Sequence, residues 1–68
     1  MSARQDIIIA WIAMGLAPKQ IAHGLKVAKK TVEYHLQAIG RKLGYHDPAR
    51  LTHYAIVHGL VNIGQTAQ

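Results

Sequence analysis

Hydrophobic residues recur at helical spacing in four segments of this chain, and glycine and proline separate the segments. The clearest segment runs from Lys29 to Leu43, where each apolar residue follows the previous one after three or four positions. That spacing keeps one face of an α-helix apolar along its length. Gly44 ends the segment; Gly40 inside it costs up to about 1 kcal/mol relative to alanine, and a close backbone approach would account for it. The residues predicted to face inward are Val32, Leu36, Ile39 and Leu43.

The first segment, from about Ser2 to Met14, begins with a pattern typical of a helix N-terminus. Ser2 stands at the N-cap and Gln5 follows three residues later, as in a capping box. Gly15 closes the segment, as expected of a left-handed helix cap. The β-branched run at 7–9 is also typical of a strand, but the capping box and the glycine favour a helix. The predicted inward residues are Ile8, Ile9, Ile12 and Ala13.

The second segment is short and begins at Pro18, a residue that suits the first turn of a helix. It ends at Gly24 or Leu25. Its apolar stripe consists of Ile21, Ala22 and Leu25.

The fourth segment begins at Asp47 and Pro48, which are typical of an N-cap and a first helical residue. Gly59 closes it, and the next two residues, Leu60 and Val61, are expected to fold back onto the core. The predicted inward face consists of Leu51, Tyr54, Ala55 and His58.

Together the segments predict one all-α domain of four helices over residues 1–61, with a flexible tail at 62–68. A chain of 68 residues buries only a small core. No stretch approaches the roughly 18 apolar residues that a membrane helix needs.

A short helix, a tight turn at 24–28 and a longer helix predict a helix-turn-helix. Ala22 is small where the two helices would cross, and Val32 packs the longer helix back onto the shorter one. This arrangement allows one helix to enter a major groove while its partner spans the DNA backbone.

The chain carries a formal net charge of +5, and its acidic residues number only three. A small basic domain favours a polyanion, most often nucleic acid, although a merely soluble basic protein has the same composition.

The polar face of the third helix places basic residues in its first turn, where they oppose the helix dipole. Lys29 and Lys30 make sense there if phosphates lie nearby. Tyr34 and Gln37, one turn on, can reach base edges, and Glu33 can accept from a cytosine amino group. The alternative is the solvated polar face that any surface helix has.

The sequence contains few residues in patterns that would support disulfides, metal binding or catalysis. The absence of cysteine excludes disulfides and cysteine-based zinc sites. The five histidines lack metal-ligand spacing; we expect His35 to be a hydrogen-bonded packing residue and Trp11 to lie in the core or at its edge. No hydroxyl has an Asp–His partner pattern. We therefore expect no enzyme activity, no metal and no cofactor.

From Met1 to Val61 the chain resembles the LuxR-type (GerE-like) helix-turn-helix DNA-binding domain. The resemblance is carried by the runs 15–22, 31–36, 41–44 and 58–61, together with Ile39, Tyr54 and Ala55. It implies a four-helix fold in which the third helix reads DNA and the fourth forms a dimer contact. It begins at the first residue, which indicates a free-standing regulator of the GerE kind or an excised domain, and Met1 favours the first.

By this resemblance, residues on the third helix divide into two groups. Base-reading positions are occupied by Glu33, Tyr34 and Gln37, and phosphate-facing positions by Lys29, Lys30, Thr31 and Lys42. From its spacing, the dimer-forming face of the fourth helix is expected to consist of Thr52, His53, Ile56 and Val57.

Several positions depart from the family pattern. Ala17 and Ala28 stand where serine or threonine would cap the second and third helices, at a cost of about 1 kcal/mol each. Lys26 replaces the usual turn glycine and is expected to adopt a strained conformation. The remaining departures are Gln5 and Ile7 in place of glutamate, Glu33 at an often basic position, and Pro48 in place of arginine.

We therefore expect a cytoplasmic, nucleoid-associated bacterial transcription regulator that binds double-stranded DNA as a homodimer, without a membrane. RNA polymerase or another LuxR-type regulator would be a further partner. The alternative is an interaction module that pairs with a larger LuxR-type regulator and inhibits it. RNA binding rests on charge alone, because Tyr34 and Tyr45 are too separated to form a stacking platform.

Overall fold

A computed structural model describes residues 2–61 of the chain and contains four α-helices over that range. Their bounds are α1 at Ala3–Ala13, α2 at Pro18–Leu25, α3 at Lys29–Leu43 and α4 at Pro48–Val57. The all-α, four-helix prediction is confirmed, and the strand alternative for residues 7–9 is wrong. The tail expected at 62–68 lies outside the described residues, so the domain boundary at 61 stays a prediction.

Side chains cap two of the helices as their sequences predict. The Ser2 hydroxyl accepts the Gln5 N–H at 3.2 Å, and the Asp47 carboxylate accepts the Arg50 N–H at 3.2 Å. The capping box at α1 is only half formed, however. The Gln5 side chain turns into the core, where it is 8% exposed, instead of returning to the backbone of Ser2.

The core lies where α1 packs on α4 and α3, and where α2 packs on α3. Its members come from all four helices, and two are isoleucines of α1 that are fully buried, Ile8 and Ile9. Leu36 and Leu43 are half-buried and pack against this core, which confirms the predicted apolar face of α3. The buried hydrophobic residues are Ile8, Ile9, Ile12, Ile21, Ala22, Val32, Ile39, Leu51 and Ala55.

The end of α4 corrects one predicted inward residue. His58 is exposed rather than buried, because it follows the last helical turn and lies beside the core instead of over it. Its ring stacks on Tyr54, with centroids 4.0 Å apart. Leu60 and Val61 fold back as predicted: both pack against the core, and the Leu60 N–H donates to the Ala55 carbonyl at 2.8 Å.

The turn between α2 and α3 is closed by a left-handed residue. Lys26 has φ 60° and ψ 44°, which confirms the strained conformation expected where the family usually has glycine. The Val27 N–H donates to the Ala22 carbonyl at 3.0 Å across this turn, as in a Schellman motif. The turn thereby fixes the direction in which α3 leaves α2.

None of the four helices within residues 2–61 is both long enough and apolar enough to cross a membrane.

Candidate nucleic-acid interface

The α2–turn–α3 unit has the form of a helix-turn-helix. Ile21 and Ala22 of α2 are 0% and 5% exposed, and Val32 of α3 is 0% exposed in the same core. Packing through these residues holds the apolar side of α3 against the domain. The opposite side of α3 is left uncovered along its length, as a helix that enters a major groove requires.

The exposed side of α3 carries the residues that the sequence assigns to DNA. Because successive helical residues are about 100° apart, Lys30, Tyr34 and Gln37 lie along one line facing away from the core. Tyr34 is 62% exposed despite its large apolar ring. The seven assigned residues are all exposed: Lys29, Lys30, Thr31, Glu33, Tyr34, Gln37 and Lys42.

The seven residues do not form one cluster, however. Helical register places Lys29 and Glu33 on one flank of the central line and Thr31 and Lys42 on the other. The two flanks would face opposite walls of a groove that α3 occupied.

An ion pair joins two of the assigned residues on one flank. The Lys29 Nζ lies 3.8 Å from a carboxylate oxygen of Glu33, and both side chains are more than half exposed. Such an exposed pair stabilises the helix by less than about 1 kcal/mol. It nevertheless places an acid beside Lys29, whereas no acid pairs with Lys30 within residues 2–61. Lys30 is therefore the stronger phosphate candidate of the two.

The N-terminus of α3 lacks a side-chain cap, as the sequence predicts. Ala28 has the extended backbone of an N-cap but no side-chain hydrogen bond. The Thr31 N–H donates to the Ala28 carbonyl at 3.0 Å. The amides of Lys29 and Lys30 point outward from the helix end, where an anion can accept from them.

Sequence reasoning missed Arg41. This residue is exposed and lies on the same line as Tyr34 and Gln37, about 6 Å beyond Gln37 along the helix. The signal was present in the spacing, since positions 30, 34, 37 and 41 follow the same three-and-four interval as the apolar face.

Sequence reasoning also missed a groove beside α3. Pro18 at the start of α2 and His46 in the α3–α4 connection line it, together with Glu33, Leu36 and Gln37 of α3. The expectation of a close backbone approach at Gly40 is corrected here. The group that approaches is the His46 ring, whose Cδ2 would lie 2.8 Å from a Cβ at position 40.

The remaining polar and aromatic residues have structural contacts. The Gln5 Nε2 lies 3.4 Å from the His35 Nδ1, which confirms His35 as a hydrogen-bonded packing residue. Trp11 is half-buried against Gly24, where an added Cβ would lie 2.7 Å from the ring; this confirms its place at the core edge. Within residues 2–61 no three potential metal ligands come together.

The predicted dimer face of α4 is partly exposed and partly apolar. Ile56 and Val57 are 39% and 62% exposed, and His53 is exposed beside them. Thr52 is half-buried, and its hydroxyl donates to the Pro48 carbonyl at 2.7 Å. The Thr52 side chain is thus already bonded within its own helix, and the apolar pair is the more available part of this face.

Comparison with known proteins agrees with this geometry. The sequence model of the family described as bacterial regulatory proteins, luxR family, matches residues 1–55. The Fimbriae Z protein of Salmonella typhimurium is 34% identical over 90% of the chain. The transcriptional regulatory protein MctR of Rhizobium johnstonii is 34% identical, and the response regulator UvrY of Escherichia coli is 36% identical, each over 91% of the chain. No solved structure matches the chain.

The chain spans 28–29% of the length of these curated relatives. The match between family and chain nevertheless covers all of α1, α2 and α3 and most of α4. The chain therefore belongs to the luxR family of bacterial regulatory proteins, and its four helices form that family's helix-turn-helix domain.

Proposed function

We propose that this chain binds duplex DNA sequence-specifically, as the DNA-binding domain of a bacterial transcription regulator, with α3 in the major groove. The observation that carries the proposal is the uncovered line of Lys30, Tyr34 and Gln37 on the side of α3 that faces away from the core. The net charge of +5 supports a polyanionic partner. Two of the relatives are named as a transcriptional regulatory protein and a response regulator.

The residues of α3 divide by chemistry. Gln37 can donate to and accept from an adenine edge, and Tyr34 presents a hydroxyl and an apolar ring to the neighbouring bases. Lys30 and, on the far flank, Thr31 and Lys42 bind phosphates and fix the register of the helix. Glu33 either accepts from a cytosine amino group or holds Lys29 through their ion pair.

The proposal extends to a homodimer formed through α4. Ile56 and Val57 supply an exposed apolar pair that a second copy would cover. Two copies related by a two-fold axis would present two α3 helices to half-sites about one helical turn apart. The same pair also supports the second candidate, an inhibitor that pairs with a larger LuxR-type regulator. RNA polymerase contact and a place in the cytoplasm at the nucleoid follow from the proposed regulator role.

The proposal is tested by selecting bound duplexes from a random DNA pool and measuring affinity for the selected site. Lys30→Ala should weaken binding to every sequence and flatten the salt dependence by about one unit. Gln37→Ala should instead relax preference at one base pair, by about 1–3 kcal/mol. Arg4→Ala, which removes the same charge from an exposed site on α1, is the matched control.

A selected pool without a shared sequence, or a footprint unchanged in both α3 variants, would contradict the proposal. The inhibitor candidate predicts a different result. The chain would then bind a LuxR-type regulator at salt concentrations where it no longer binds DNA.

A further inference from the structure

Gly40 is the one feature of α3 that neither the core nor the proposed base-reading line explains. A glycine inside a helix is unfavourable by about 1 kcal/mol relative to alanine. Gly40 lies within α3 and does not have positive φ, so its backbone conformation does not require glycine. Instead, the missing side chain at Gly40 leaves room for the His46 ring. A Cβ at this position would lie 2.8 Å from Cδ2 of His46 and 3.4 Å from Cγ.

The His46 ring therefore rests in a notch that only glycine leaves open. This notch is on the flank of α3 next to the proposed base-reading residues, and His46 shares a groove with Glu33 and Gln37. His46 remains exposed, and neither ring nitrogen has a hydrogen-bond partner among residues 2–61. A ring held in place by carbon contacts, with its nitrogens open to solvent, is suited to donate to an external acceptor.

We infer that His46 is a DNA-phosphate contact that Gly40 positions, and that its protonation makes DNA affinity depend on pH. The inference rests on the proposed function. A side chain on the flank of a helix inserted in the major groove faces the sugar-phosphate wall, where the acceptors are phosphate oxygens. An imidazolium donates from both nitrogens and carries the charge that a phosphate attracts, whereas neutral imidazole has one donor and no charge.

The surroundings of His46 favour this use. A second groove also meets the His46 ring and is lined by uncharged groups, among them Ile12 of α1, Pro18 of α2 and Pro48 of α4. With the groove beside Glu33, the groups around the ring therefore come from every helix and are almost all uncharged.

The only other charged group lining these two grooves is Glu33, whose carboxylate pairs with Lys29 at 3.8 Å. Next to His46 in the chain, the Asp47 carboxylate pairs with Arg50 at 3.7 Å. An imidazolium at His46 therefore adds a donor and a positive charge that neither ion pair uses.

The test measures binding to a fluorescent duplex of about two helical turns that carries the sequence selected from the random DNA pool, from about pH 6 to about pH 8. The wild type should bind more tightly at the acid end. In His46→Gln the ratio of the affinity at the acid end to that at the alkaline end should be roughly fivefold smaller, as expected for the loss of an exposed ionic contact. The salt dependence should fall by about one unit at the acid end and stay unchanged at the alkaline end. His23→Gln, an exposed histidine on α2 with no assigned role, should keep the wild-type response.

Gly40→Ala tests whether the position of the His46 ring matters, because it moves the ring without removing the imidazole. Because alanine favours the helix, thermal stability should not fall. Because the new methyl group displaces the His46 ring, affinity at the acid end should fall about as far as in His46→Gln. In the His46→Gln background, Gly40→Ala should change affinity little. An equal loss in both backgrounds would mean that the methyl group itself meets DNA, and would overturn the inference.

The two proposals fail differently. If the wild type does not bind the duplex at any pH, the proposed function is wrong. If it binds but His46→Gln keeps the full pH response of the wild type, the proposed function stands and His46 is not a phosphate contact.

Discussion

Three consecutive isoleucines in α1 show how strongly single positions differ within one helical turn. Ile8 and Ile9 are 0% exposed, while Ile7 is 40% exposed. Helical register turns Ile8 and Ile9 toward α4 and α3, and it turns Ile7 toward solvent. Residue type alone therefore says little about the contribution of each isoleucine to stability.

Alanine substitutions at these positions should give clearly different free energies of unfolding. Ile8→Ala and Ile9→Ala should each lower it by about 2–5 kcal/mol, because each removes buried methyl groups and leaves a cavity. Ile7→Ala should lower it by less than about 1 kcal/mol. Urea denaturation followed by circular dichroism measures all three, and equal losses would show that α1 is rotated relative to its described position.

Lys26 is the single residue other than glycine that has positive φ within residues 2–61. The left-handed conformation costs an L-residue about 1–2 kcal/mol, and glycine avoids this cost. Glycine also has more conformational entropy in the unfolded chain, which offsets part of the gain. Lys26→Gly should therefore raise the free energy of unfolding by about 0.5–1 kcal/mol. Gly44→Ala is the reverse control: it has φ +83° and nothing within 4 Å of an added Cβ, so it should destabilise by strain alone.

At the scale of elements, α1 and α3 use their outer faces differently. The outward line of α1 is apolar: Ile7 is 40% exposed, and Met14, which caps the C-terminal end of the helix, is 66% exposed. The outward line of α3 is instead polar and basic. Ile7 stands where the resemblance to LuxR-type domains implies glutamate, so the apolar outer face of α1 departs from the expected family pattern.

The uncapped start of α3 gives a prediction about stability. Ala28 has the backbone of an N-cap, with φ −71° and ψ 148°, but no side chain to accept an N–H. Ala28→Ser should therefore raise the free energy of unfolding by about 1 kcal/mol. Ala49→Ser, in a first turn that Asp47 already caps, should give no gain. A stability equal to the wild type in Ala28→Ser would show that the helix starts elsewhere.

At the scale of the whole molecule, the domain has two sides with different chemistry. The line on α3 is basic and polar, and the exposed pair on α4 is apolar. The two sides suit different partners, a polyanion and a protein surface. The proposed homodimer uses both at once.

The homodimer predicts cooperative binding to a duplex that carries two half-sites. Val57→Asp places a charge on the 62% exposed end of α4, so it should remove cooperativity while a single half-site is still bound. Ile7→Asp makes the same change on the exposed apolar face of α1 and should leave cooperativity intact. Titrations of one-site and two-site duplexes compare them. Cooperativity that survives Val57→Asp and disappears in Ile7→Asp would move the dimer contact to α1.

Most of the architecture was predictable because it depends on local signals. Apolar spacing, proline at helix starts and glycine after helix ends gave the four helices, and the bounds of α3 agree with the structure. One error arose where a side chain had two competing partners. Gln5 has the spacing of a capping residue, yet it bonds to His35, thirty positions away, because burial beside α3 offers it a partner in the core.

The sequence by itself determined the helices, the inward faces and the exposed basic face of α3, because periodicity and charge are local properties of the chain. Only the tertiary structure decided that His58 stays outside the core, that Trp11 rests on Gly24 and that His46 rests on Gly40. These contacts join residues from separate elements, and their existence depends on how the helices cross. Spacing along the chain does not contain that angle, since it is set by the packing of all the buried side chains together.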